Sequence, residues 1–286
     1  MRTALVFGGS GQVGAPLLAR LAAAGWRVQA VSRQPQPARA GVAWLRGDLD
    51  RVEGLARQAD AIFSCGPLDH FARWYAAGQV EAPRVVAFGS TSAEAKQASA
   101  DPAERDLAAR LHAAEALLFA QAAARGAAAT VLRPTLVYGA GRDRTLARIA
   151  TLARRWHGFV LPRGACGLRQ PVHVDDLADA ALAAADAPAS HGQAYALPGG
   201  ETLPYREMVA RVLGALEPPA HLVEVPAPLF ATLLAVARAT GRLSGFGDAA
   251  LARLRADLVF DAAPARRDFG YAPRAFQPTA AMFSPG

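Results

Sequence analysis

Lysine is almost missing from this chain: of 31 basic residues, Lys96 is the only lysine. Arginine carries the rest of the positive charge. No block of five or six arginines occurs, so the net charge of +7 is spread out and excludes a nucleic-acid-binding stripe. Cysteine is nearly absent as well. Cys65 and Cys166 form no close-spaced pair and no metal pattern with histidine. That excludes a disulfide scaffold and a zinc site, and makes a reducing, cytoplasmic setting the expectation. Long apolar runs are missing too. The longest, PAPLFATLLAVARAT at 226–240, is too short to span a bilayer and reads as a core or interface helix. A first strand is expected to open at Thr3 with no signal peptide before it, and no internal repeat is visible. What is there fits a compact globular protein: 52% hydrophobic and 19% charged residues, in a chain long enough to bury roughly 75% of its unfolded surface.

The first half alternates short apolar runs with Ala- and Leu-rich helical stretches. TALVF (3–7), RVQAVS (27–32), VAWLRGDL (42–49), AIFSC (61–65), RVVAFGS (84–90) and ATVLRP (129–134) read as strands. Helices are expected over 12–25, around 51–58 and over 103–125. Strands separated by helices imply a parallel sheet covered on both faces, an α/β doubly wound (Rossmann) architecture with its ligand at the carboxyl ends of the strands. PVHVDDLADAALAAAD (171–186) reads as a strand running into a helix capped by Asp175 or Asp176, while proline and glycine punctuate the later chain. The expected division is a core of 1–140 and 171–197, with a smaller interleaved C-terminal lobe of 141–170 and 198–286.

GGSGQVG at 8–14 sits between a strand and a helix. Gly8 and Gly11 let the turn tighten and the backbone approach a pyrophosphate, and Gly14 lets helix and strand pack closely. Ser10, Gln12 and Val13 share that turn. The second strand then ends in Ser32 and Arg33, with no carboxylate until Asp48. A guanidinium at that place suits the 2′-phosphate of NADP(H), so NADP(H) is the preferred cofactor and NAD(H) the other option.

With GDLD (47–50), SCGP (64–67), FGSTSA (88–93), LRPTLVYGAG (132–141) and RQPVHVDDLADA (169–180), the chain resembles the short-chain dehydrogenase/reductase superfamily, in the extended or atypical branch that includes NAD-dependent epimerase/dehydratases. The resemblance implies that Asp48 meets the adenine amino group and Leu49 packs near the ring. It places Ser64, Cys65 and Gly66 beside the riboses and Pro134 and Val137 at the nicotinamide end. It offers Arg169 for a substrate diphosphate, and it makes His173 structural.

One part of the resemblance fails. Active members carry Tyr-x-x-x-Lys on the helix after the fifth strand, with tyrosine and lysine on one face and the lysine charge helping the phenol to donate or accept a proton. Counting back from Glu115 puts Leu111 and Leu107 in those places, and no Tyr-x-x-x-Lys occurs anywhere in the chain. Ser90, Thr91 and Ser92 keep the hydroxyls. Thr91, Ser92 and Tyr138 are therefore the candidate catalytic residues, with Tyr75, His70 and His112 as other sources of an acid or base. Three readings stay open. The first is an atypical oxidoreductase or epimerase-like enzyme on a small carbonyl, hydroxyl or nucleotide-sugar substrate, with its acid or base from elsewhere. The second is a sensor or scaffold that binds NADP(H) without turning it over. The third is hydride transfer with the proton supplied by water or the substrate itself, the protein only orienting it and excluding solvent. Each would be a monomer or homodimer with no nucleic-acid partner.

Overall fold

The computed structural model describes residues 1–78, 80–143, 145–239 and 254–283, with no side chains described at 233, 234 and 236–239. They divide into two units. The first takes 1–135, 172–198 and 261–273, the second 136–171, 199–260 and 274–286. Elements are numbered in chain order across both.

In the first unit, seven strands pair in parallel: β1 (Thr3–Phe7), β2 (Arg27–Ser32), β3 (Val42–Arg46), β4 (Ala61–Ser64), β5 (Arg84–Phe88), β6 (Ala128–Pro134) and β11 (Gln193–Leu197), in the order β11-β6-β5-β4-β1-β2-β3. Their central runs are buried on both faces, which is why they read as unbroken apolar segments. One face carries Leu5, Phe7, Ile62, Val85 and Val131, and packs against α2 (Leu68–Ala76) and α4 (Pro102–Ala124). Arg84, one residue before Val85, points the other way. Its guanidinium donates to the carbonyls of Ala185 (2.8 Å) and Ala184 (2.7 Å) at the end of α6 (Val174–Asp186), satisfying acceptors a helix terminus leaves open. The same helix meets α1 (Gly14–Ala23) through Arg20, which pairs with Asp179 and, at 3.2 Å, with Asp175. The sheet is thus wound on both sides. Its strand order reverses between β1 and β4, and the crevice a doubly wound sheet offers a ligand lies there, at their carboxyl ends.

Three expectations change. No helix forms over 51–58. Asp48 Oδ1 accepts from the amides of Asp50 and Arg51 (both 3.0 Å) and fixes a turn, Gly54 sits at φ +78°, and Gln29 Oε1 takes the Ala56 amide at 2.9 Å. These bonds replace the helical ones. The cap of α6, which follows β10 (Val172–His173), is His173, whose Nδ1 accepts from the Asp175 amide at 3.2 Å; Asp175 and Asp176 lie in the first turn. Residues 261–273, beyond the expected boundary at 198, return to the first unit with α9 (Ala263–Phe269). There Tyr271 donates to the Pro198 carbonyl and Tyr195 to Asp268, each at 2.7 Å.

The second unit holds β7 (Val137–Tyr138), β8 (Gly158–Pro162), β9 (Leu168–Arg169), β12 (Leu203–Pro204) and β13 (His221–Val225), with α5 (Leu146–Trp156), α7 (Tyr205–Gly214) and α8 (Ala227–Ala239). Strands β8 and β13 pair in parallel, β9 and β12 antiparallel. Its core gathers Tyr138, Leu146, Ile149, Met208, Val212 and Phe276. The apolar run at 226–240 forms α8, but residues 227–229, 231, 232 and 235 are exposed, so over these positions it is a surface helix rather than a core one. Thr240 of that run, and residues 240–253 and 284–286 of the expected lobe, lie outside the described residues.

Candidate functional site

The glycine turn closes against the end of β4. Gly8 adopts φ +71°, and a side-chain carbon added there would lie 3.0 Å from the Cys65 carbonyl carbon and 3.2 Å from the Gly66 nitrogen. The Gly11 amide donates to Gly8 O at 2.9 Å, and Gly14 opens α1 pressed against the Gly8–Gly9 backbone. Two polar atoms beside this cradle are enclosed with no hydrogen-bond partner among the described residues: Oγ of the fully buried Ser64, and Oε1 of Gln12. Leu49 stands at the same place, its Cδ1 3.5 Å from where a Gly66 side-chain carbon would sit. Val13, before Gly14, is buried.

Where β2 ends, the Ser32 hydroxyl lies 3.2 Å from that of Ser10, tying the glycine turn to the second strand, and also accepts from the Gln34 amide (3.3 Å). Arg33 is exposed beside it. Asp48 is exposed too. The amides of Arg51 and Asp50 hold its carboxyl below the usual range, with a smaller contribution from the Arg33 charge. Cys65 is half-buried, and burial pushes its thiol up to about 12. Alkylation by iodoacetamide at pH 8 is therefore expected at the exposed Cys166, with Cys65 unmodified in the native protein. Peptide mapping checks this, and equal labelling of both cysteines would contradict it.

After β5 come the three hydroxyls. Thr91 Oγ1 donates to the Pro134 carbonyl at 3.1 Å, which brings the two predicted residues together but commits the hydroxyl. Ser90 Oγ accepts from the Ser92 amide at 3.1 Å. Ser92 opens the short α3 (Ser92–Ala95). Beside it, Glu115 of α4 is buried and gripped by Arg133 of β6, through Nε to Oε1 at 2.7 Å and Nη2 to Oε2. Arg133 also reaches Glu94 of α3 at 2.5 Å. Glu115 holds the guanidinium above its ordinary range. His112 places Nε2 3.0 Å from the Ala93 carbonyl, so that nitrogen is the donor. Leu107 and Leu111 are half-buried on α4, Leu111 against the core.

Residues 74–197 match the family model of the NAD dependent epimerase/dehydratase family. That segment, less than half of the chain, is similar to the family. A curated relative, the 2-alkyl-3-oxoalkanoate reductase of Stenotrophomonas maltophilia, is 29% identical over 94% of this chain and 94% of its own. Among solved structures, an epimerase from Methanothermobacter thermautotrophicus superposes with a TM-score of 0.71 at 17% identity, over 96% of this chain and 88% of that one. The UDP-glucuronic acid 4-epimerase of Bacillus cereus, solved in complex with NAD, gives 0.67 at 12%, over 96% and 94%. At these identities the structures establish the fold.

Several other sequence candidates sit in packed or surface positions. Tyr75 is 2% exposed on α2, under the Arg125 guanidinium at 4.5 Å. His70, on the same helix, is exposed, 3.8 Å from Asp50. Val137, Tyr138 and Arg169 belong to the second unit. There Val137 is half-buried, and Tyr138 is buried edge-on to Phe276 at 4.9 Å. Arg169 is buried too, donating to the carbonyls of Leu168 (2.7 Å) and Ala256 (2.8 Å). Sequence reading missed Arg133 and Glu94. The signal was an arginine inside an apolar strand, Leu132-Arg133-Pro134, which needs a buried acid to pair with.

Proposed function

We propose that this chain is an NADP(H)-preferring oxidoreductase that interconverts a ketone and a secondary alcohol on a small substrate, with a catalytic apparatus departed from that of its family. The observation that carries the reading is the cradle at the strand-order reversal: a glycine turn on a helix N-terminus, closed against Cys65–Gly66, with enclosed Ser64 Oγ and Gln12 Oε1 aimed at no protein partner. These residues fit a dinucleotide, whose nicotinamide would supply or take a hydride. The turn amides and the positive end of α1 would hold the pyrophosphate, and Ser64 a ribose hydroxyl. The 3-oxo acid in the curated relative's name supports a ketone substrate, and the nucleotide sugars in the structural relatives' names mark a second substrate class. An NADPH titration followed by a panel of 3-oxo acids, simple ketones and UDP-sugars tests it. Consumption of reduced cofactor supports the reading. Binding without consumption across the panel overturns the enzyme and leaves a non-catalytic NADP(H)-binding protein, the reading that Leu107 and Leu111 favour.

The preference for NADP(H) rests on Arg33, exposed next to Ser32 with no carboxylate on that strand end. NADPH is expected to bind at least about tenfold more tightly than NADH. Arg33→Asp should reverse the order, because the new carboxylate repels a 2′-phosphate and accepts from free ribose hydroxyls. Equal affinities for the two cofactors in wild type would remove Arg33 from this role.

A further inference from the structure

The hydroxyls after β5 are not equivalent. Thr91 is committed to Pro134 and Ser90 accepts the Ser92 amide, while the Ser92 hydroxyl makes no hydrogen bond among the described residues. From Thr91 the backbone turns as a helix: the Ala95 amide donates to Thr91 O at 2.9 Å and the Lys96 amide to Ser92 O at 3.2 Å. Side chains at 92 and 96 therefore share one face, a turn apart. Lys96 Nζ lies 3.4 Å from Glu104 Oε1 on α4, with only 24% of the lysine side chain exposed, and Glu104 Oε2 accepts from Ser99 at 2.7 Å.

Composition supplies an independent observation. Every basic residue of this chain except Lys96 is arginine. An arginine would pair with Glu104 at least as well, since its fork matches a carboxylate. What a guanidinium does not do is release a proton under the conditions in which proteins work. A lone lysine in an arginine-writing chain, one turn from an uncommitted hydroxyl at a sheet's carboxyl edge, marks a place where that difference matters.

We propose that Ser92 and Lys96 are the proton-delivering pair of this site, a hydroxyl on α3 standing in for the phenol absent from α4. The proposal rests on the oxidoreductase reading. In the reducing direction the substrate carbonyl carbon receives the hydride while its oxygen takes the Ser92 proton. The serine takes a proton from the Lys96 ammonium, and the amine recovers one from water. Ketone, NAD(P)H and one proton thus give alcohol and NAD(P)⁺. Ser92 touches the substrate oxygen, and Lys96 acts through it as a positioning residue held by Glu104.

The test uses Ser92→Ala, Lys96→Met and Lys96→Arg in the full chain. Ser92→Ala and Lys96→Met should each lower turnover about a hundredfold with NADPH affinity within about twofold of wild type. Lys96→Arg, which keeps the charge and the ion pair, should fail to rescue and should flatten the pH profile. Wild-type turnover in Lys96→Arg would reduce Lys96 to an ion-pair partner and overturn the proposal. A second readout needs no turnover: reductive ¹³C-methylation labels Lys96 as the only lysine side chain, and its signal should shift in Ser92→Ala. An unmoved signal says the two groups do not meet, and the pair falls. NADPH bound but never consumed by wild type would instead remove the oxidoreductase reading.

Discussion

Glu115→Gln is expected to cost about 3–5 kcal/mol of folding stability and roughly 10 °C of melting temperature. The carboxylate side chain is 6% exposed and the Arg133 side chain 15%, so both charges have left water and each is stabilised chiefly by the other. Glutamine offers one acceptor where the fork of Arg133 needs two, and leaves the guanidinium beside Glu94 alone. The contrast with Glu94→Gln is the sharp part. Glu94 is 45% exposed, where water screens the pair and replaces the lost bond, so its removal should cost at most about 1 kcal/mol. Replacing Glu115 and Arg133 together by leucine should cost less than Glu115→Gln, because the double change relieves both desolvation penalties. Urea unfolding of the three variants decides it. Equal, small losses for Glu115→Gln and Glu94→Gln would show that the pair is solvated in solution.

This pair also shows where the sequence stopped being legible. Strands such as Ala61–Ser64 and Arg84–Phe88 announce themselves because burial on both faces demands unbroken apolar runs, and the glycine turn because few residues fit its backbone. Arg133 and Glu115 are 18 positions apart on different elements, and nothing local couples them. The failed helix at 51–58 has the same origin. Its composition suits a helix, but Asp48 and Gln29, one before it and one on β2, capture its amides. The motif marks His173 only as structural, and the cap it fills falls to Asp175 or Asp176 in sequence. Tyr138 and Arg169 look reactive in sequence, and only burial against Phe276 and backbone carbonyls reveals their packing roles. Residue type carries the chemistry a side chain could do. Which atoms remain uncommitted, as at Ser92 and Ser64, is decided by tertiary contacts.

Gly14→Ala is the strongest single test of the cradle. The added carbon would lie 2.1 Å from Gly8 O, 2.7 Å from Gly9 Cα and 2.8 Å from Gly8 C. All three are backbone atoms, so no side chain can swing aside, and either the first turn of α1 or the Gly8 peptide must move. That peptide carries the carbonyl that accepts the Gly11 amide, so a shift reshapes the turn itself. Overpacking of this kind costs about 3 kcal/mol. Because the turn amides and the helix terminus would be what holds a pyrophosphate, NADPH affinity should fall about a hundredfold. Gly11→Ala, where the new carbon meets only Gly8 O at 3.0 Å, should lie between Gly14→Ala and wild type in both quantities and keeps the test informative if the first variant folds poorly. Urea unfolding and NADPH titration of the two variants give the ranking. Should Gly14→Ala remain folded and bind NADPH within about threefold of wild type, the phosphates lie elsewhere and the glycine turn serves only to pack helix against sheet.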